Sequence, residues 1–99
     1  SFFDSLIGVP KNINEKAHRV RFWAAPAQVP YIETKPLHKS QFVVQRNEDG
    51  SAIFQMEVVL NYELEKDLLG FGEGVKVLSP RILVHNMSRR LRQAADNYR

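Results

Sequence analysis

Gln41-Phe42-Val43-Val44-Gln45-Arg46-Asn47-Glu48-Asp49-Gly50-Ser51-Ala52-Ile53-Phe54-Gln55-Met56-Glu57-Val58-Val59-Leu60 reads as a β-hairpin. Asn47, Glu48, Asp49 and Gly50 are turn residues, and Asp-Gly between apolar runs is a strong signal for a reversal. A strand over Gln41 to Arg46 precedes the turn. After it, Ser51 to Leu60 alternates, with Phe54, Met56, Val58 and Leu60 on one face. Alternation of period two means one side packs on a core and the other does not.

The flanking segments extend the pattern. His18 to Ala24 alternates too, with Val20 and Phe22 on one side and Arg19, Arg21 and Trp23 on the other. Ala25 to Glu33 is interrupted by Pro26 and Pro30 and has room only for a short or distorted helix. Beyond the hairpin, Asn61 is a good N-cap, and Glu63 and Glu65 suit the positive first turn of a helix. Leu64, Leu68 and Phe71 then follow at helical spacing, and Gly70 and Gly72 end the run. Val75 to Leu78 is a fourth strand. Ser79-Pro80 opens a last helix, with serine expected at the cap and proline at the first helical position. On that helix Leu83, Val84, Met87, Leu91, Ala94 and Tyr98 form one stripe. Arg81, His85, Arg89 and Arg92 lie opposite, with Arg99 in line, and Arg90 falls at the edge of the apolar stripe.

The order β-α-β-β-α-β followed by a helix predicts an α+β sandwich of ferredoxin-like topology, with an antiparallel sheet and an additional C-terminal helix. Its first and third strands are central. Val20, Phe22, Phe54, Met56 and Val58 are the expected core. Arg19, Arg21, Trp23, Ile53, Gln55, Glu57 and Val59 are the expected open face, which the last helix, another domain or a second subunit would cover.

With 99 residues, 43% of them apolar and 25% charged, the chain has the balance of one small globular domain. Having no cysteine, it holds no disulfide, thiol nucleophile or cysteine-based metal site. No apolar run approaches the roughly 20 residues of a membrane helix, so neither a membrane nor export is expected, and the cytoplasm is the expected compartment. Residues 1–17 read as an arm from a preceding domain, and 18–99 as the folded unit. Phe2, Phe3, Leu6 and Ile7 fall on one face of that arm before Gly8 and Pro10 interrupt it. The chain starts at Ser1 and its methionines are Met56 and Met87, so a piece of a longer protein is expected.

The formal charge is +3, but residues 81 to 99 alone carry a net +4, leaving −1 on the rest. Such a stripe attracts phosphate or an acidic partner, and it also suits an ordinary solvated helix face. Catalytic signatures are missing. Where acylphosphatases of this topology have a glycine-bearing phosphate loop, this chain has Ala24-Ala25-Pro26-Ala27, a poor nest of backbone N–H groups. His18, His38 and His85 have no metal spacing. Glu63, Glu65 and Asp67 read as a solvated acidic face. No enzyme activity, metal or cofactor is expected. The aromatic pattern of RNA recognition modules is also missing from the third strand. Trp23 is the one stacking surface on the open face, with Arg19 and Arg21 beside it. Lys35-Pro36-Leu37-His38-Lys39-Ser40-Gln41 concentrates donors suited to an anionic group. The same loop also reads as a plain connection whose Ser and Gln steady the next strand.

Taken in order, Pro36-Leu37-His38-Lys39-Ser40-Gln41, the hairpin, Asn61-Tyr62-Glu63-Leu64, Leu69-Gly70-Phe71-Gly72, Val75-Lys76-Val77-Leu78-Ser79-Pro80 and an arginine-bearing helix resemble the C-terminal extension (WCX) of bacterial WYL-domain transcriptional regulators. The resemblance runs from about residue 18 to 98, and Phe2 to Val9 resembles the connector after the WYL domain. It implies a homodimeric parent with an N-terminal winged helix-turn-helix, a central WYL sensor of nucleotide-like or nucleic-acid effectors, and this extension. The Trp-Tyr-Leu motif and any helix-turn-helix are missing from this stretch, so promoter DNA would be read only by the N-terminal domain. The implied role is regulatory: dimerisation, contact with the WYL domain of the same chain, and a share of the effector pocket.

The resemblance carries over no functional residue, so the candidates rest on the residues themselves. Effector contacts are expected from Arg19, Arg21, Trp23, Lys35, His38, Lys39 and Gln41. Interface contacts are expected from Phe2, Phe3, Leu6 and Ile7 in the arm and from Arg81, His85, Arg89 and Arg92. The alternative is a free-standing nucleic-acid or small-molecule binding domain. Deleting residues 1–10 should change the oligomeric state or the solubility, as read by sedimentation; an unchanged profile would remove the arm from the interface.

Overall fold

A computed structural model describes residues 16–99. The elements are β1 (Ala17–Ala24), α1 (Val29–Thr34), β2 (Phe42–Arg46), β3 (Ala52–Val59), α2 (Tyr62–Leu69), β4 (Val75–Ser79) and α3 (Arg81–Asp96). A short 3-10 turn over Gly72–Gly74 leads into β4. The arm residues Phe2, Phe3, Leu6 and Ile7 lie outside the described residues.

The sheet order is β2-β3-β1-β4, and every neighbouring pair is antiparallel. The ferredoxin-like expectation therefore holds, with β1 and β3 at the centre. Phe22 and Phe54 are partners in the central pair, and their rings stack with centroids 5.3 Å apart. Val20, Ala24, Ala52, Met56 and Val58 share their side of the sheet and are buried. Val29 and Ile32 of α1, Leu68 of α2, and Leu83 and Met87 of α3 close the core over them. All three helices thus contribute to one layer.

Local chemistry explains most boundaries. At the hairpin, Gly50 takes a φ of +94°, which L side chains rarely adopt. The carboxylate of Asp49 accepts from the Ser51 N–H at 2.9 Å and from its hydroxyl at 2.6 Å. These bonds hold the Asp49 carboxyl below its usual pKa range. Asn61 caps α2 as expected, its side chain accepting from the Leu64 N–H at 2.8 Å. Pro30 sits in the first turn of α1, the one place a helix tolerates it.

Two readings need correction. Ser79 does not cap α3; it is the last residue of β4, paired with Arg21, and Pro80 takes the cap position without a side-chain bond. Pro80 is itself extended, with φ −77° and ψ 165°, so α3 starts at Arg81 and Ser79 falls one residue short of the cap. Glu65 is not part of a solvated acidic face. Its carboxylate accepts from Arg90 at 2.9 Å and from the Asn86 amide at 3.2 Å, while the Arg90 guanidinium lies 4.9 Å from the centre of the Tyr62 ring. This clamp fastens α3 to α2 and keeps the Arg90 guanidinium above its ordinary pKa. The apolar stripe expected on α3 is covered only in its first half. Leu83 and Met87 are buried, whereas Leu91 is 42% and Tyr98 90% exposed. A 16-residue helix is about 24 Å long at ~1.5 Å per residue. The five-residue strand β4 beside it spans only about 17 Å.

Both outer strands carry an irregularity. Val44 is an extra residue in β2 between partners of Phe54 and Ile53, and Leu78 is extra in β4 between partners of Phe22 and Arg21. Emptying the centre of the core is the severest single change. Phe54→Ala should cost about 3–5 kcal/mol, a large share of the roughly 5–15 kcal/mol that holds such a domain, as measured by urea unfolding.

Candidate functional site

The strand parity that buries Phe22 and Phe54 turns the opposite set outward. Arg19 pairs across the ladder with Glu57, Arg21 with Gln55 and Trp23 with Ile53. On the outer strands, Phe42 lies opposite Gln55 and Lys76 opposite Trp23. α3 packs along β4 and α2 on the other side, so this sheet face has no cover among the described residues. Of the three expected occupants, the last helix is ruled out.

Charge on the face is unevenly spent. Arg19 Nε is 3.4 Å from the Glu57 carboxylate, which offsets it. Arg21 Nε donates to the neutral Gln55 carbonyl at 2.7 Å, so its orientation is set while its charge is not cancelled. Lys76 has no acidic partner among the described residues. Trp23, Ile53, Lys76 and Leu78 line a shallow hollow of about 340 Å³ beside Arg21. A half-buried indole next to a fixed guanidinium and an ammonium suits a planar group that carries negative charge.

The other effector candidates do not join this cluster. Lys35 belongs to the helical layer, its ammonium 5.8 Å from the centre of the Tyr31 ring. The Gln41 side chain is used at both ends within the chain: its carbonyl accepts from the Leu37 N–H at 2.9 Å and its amide donates to the Ile32 carbonyl at 3.2 Å. His38 Nδ1 accepts from the Ser40 N–H at 3.1 Å, which places the ring proton on Nε2, and lies 2.8 Å from the Ser40 hydroxyl. That hydroxyl in turn accepts from the Glu57 N–H at 2.8 Å, so it latches the loop to β3. The pair has the look of a serine–histidine dyad but the connections of an anchor. Lys39 is exposed at the tip.

Arg81, His85, Arg89 and Arg92 are all exposed along one line of α3. Reading from sequence missed Phe42, Lys76 and Leu78 as members of the sheet face. Parity alone would have placed Phe42 and Lys76. Leu78 follows the same alternation, two residues on from Lys76 in β4.

Among the described residues, no group of three or more His, Asp or Glu side chains is placed to hold a metal ion. No helix is long and apolar enough to cross a membrane. A family model described as the WCX domain matches residues 16–95. The chain belongs to the WCX family. WCX domains are the C-terminal extension of WYL-domain regulators, so this domain comes from the setting of a WYL-type regulator. No curated protein matches the chain. The WCX match begins one residue before β1 and ends inside α3, spanning the whole sandwich.

Within the WCX domain, the loop after α1 depends on Gln41. Gln41→Ala removes two hydrogen bonds to backbone and should cost about 1–2 kcal/mol, whereas Lys39→Ala should stay within about 0.5 kcal/mol. Chemical denaturation of both variants checks the contrast.

Proposed function

We propose that this WCX domain is the regulatory and oligomerisation module of a DNA-binding transcriptional regulator. In this reading it works in the cytoplasm within a homodimer, beside the WYL domain of its own chain, and does no catalysis. Promoter DNA is contacted by a separate helix-turn-helix domain. The exposed row Arg81, His85, Arg89 and Arg92, together with the arm, serves subunit contact. The open sheet face serves effector sensing.

One observation supports the sensing role: Trp23 sits in an uncovered hollow with Lys76 lining it and the uncancelled Arg21 beside it. Stacking on an indole and pairing with a guanidinium together select a nucleotide-like or single-stranded nucleic-acid group. Arg19 takes a smaller part because Glu57 already answers it.

Trp23 is the only tryptophan of the chain, so its fluorescence reports on this face directly. Titration with a short single-stranded oligodeoxythymidylate should quench it in a salt-dependent manner. Arg21→Ala should weaken binding and reduce the salt slope by about one, with Arg19→Ala milder. Unchanged affinity in Arg21→Ala would sink the assignment.

A further inference from the structure

We infer that the groove between α1 and α2, on the opposite layer from the sheet face, binds a small zwitterion with an aromatic body, of the class of the aromatic α-amino acids. This site is independent of the sensing role given to the open sheet face.

The groove exists because α1 is short. Its six residues extend only about 9 Å, too little to fill the space beside α2. The hollow is about 500 Å³, within the roughly 300–1,000 Å³ of small-molecule sites. Tyr31 and Phe71 line it, in edge-on contact with centroids 6.2 Å apart. Lys35 enters from the end of α1 and Asp67 from the last turn of α2.

The charges are what define the ligand. Lys35 and Asp67 line one groove yet do not pair with each other, and neither has an ion-pair partner among the described residues. Asp67 stands near the negative end of the α2 dipole, where a carboxylate is disfavoured and an added cation is welcome. A ligand ammonium at Asp67 and a ligand carboxylate at Lys35 satisfy both, with an aromatic body against Tyr31 and Phe71.

Gly70 supplies a second, steric observation. It also lines the groove, and its φ of −63° and ψ of −19° are open to any residue. A Cβ added there meets nothing closer than 3.4 Å. The backbone does not require glycine at this position, and the missing side chain leaves room in the groove.

The test is a two-dimensional amide NMR titration of the whole chain with L-phenylalanine, L-tyrosine and L-tryptophan. At least one should give saturable shifts centred on Tyr31, Lys35, Asp67 and Phe71. Phenethylamine and 3-phenylpropionate, each lacking one charge, should bind roughly tenfold or more weakly. Lys35→Met should abolish the preference over phenethylamine, and Asp67→Asn the preference over 3-phenylpropionate. Gly70→Leu, with its fold checked by the same spectrum, should lose binding. The site is overturned if none of the three amino acids gives saturable shifts, if the singly charged analogues bind equally well, or if Gly70→Leu binds normally. Shifts confined to the Trp23 face would overturn it as well, while leaving the sheet-face reading standing.

Discussion

The stacked pair Phe22 and Phe54 fixes the register of the two central strands, and the rest of the domain follows from that register. Side chains alternate strictly along a strand, so a slip of β1 by one residue against β3 would turn β1 over relative to its partner. Phe22 would turn to water while Phe54 stayed inside, and Arg21 and Trp23 would turn under the helices. Burying an unpaired guanidinium is far costlier than exposing it. The core and the open face are therefore two results of one constraint. The helices add to it only where they meet it: α1 through Ile32, α2 through Leu68 and α3 through Leu83.

What was legible in the sequence was what obeys a period. The Asp-Gly turn, the alternation in β1 and β3 and the Asn61 cap specify the strands, their order and the core with little ambiguity. Features that depend on which elements meet in space were not legible. Glu65 looks like one of several solvated acids until α3 crosses α2 and brings Arg90 and Asn86 to it. Ser79 looks like a cap until Pro80, itself extended, puts the start of α3 one residue further on. The stripe of α3 is continuous in sequence, and nothing local says that the surface beneath it ends after Met87.

The candidate site divides in the same way. Arg19, Arg21 and Trp23 share one strand face, so their grouping was readable from parity alone. Lys35, His38, Lys39 and Gln41 share a loop, where proximity in sequence says little about direction. The fold sends Lys35 to the helical layer, spends Gln41 on the backbone of Ile32 and Leu37, and uses Ser40 with His38 to tie the loop to β3. A polar loop and a polar strand face looked like one patch from sequence; in the folded WCX domain they are separate surfaces with different chemistry.

The extra residues Val44 and Leu78 sit one on each outer strand, and both are partly exposed. An edge strand with an uninterrupted row of free N–H and C=O groups is a template for further pairing, and a bulge spoils that template. Here both rims of the sheet are spoiled. Growth by strand addition is thereby discouraged in either direction, as is fusion of two sheets into one continuous ladder. The routes left open to association are broadside contact across the sheet and contact along the helices.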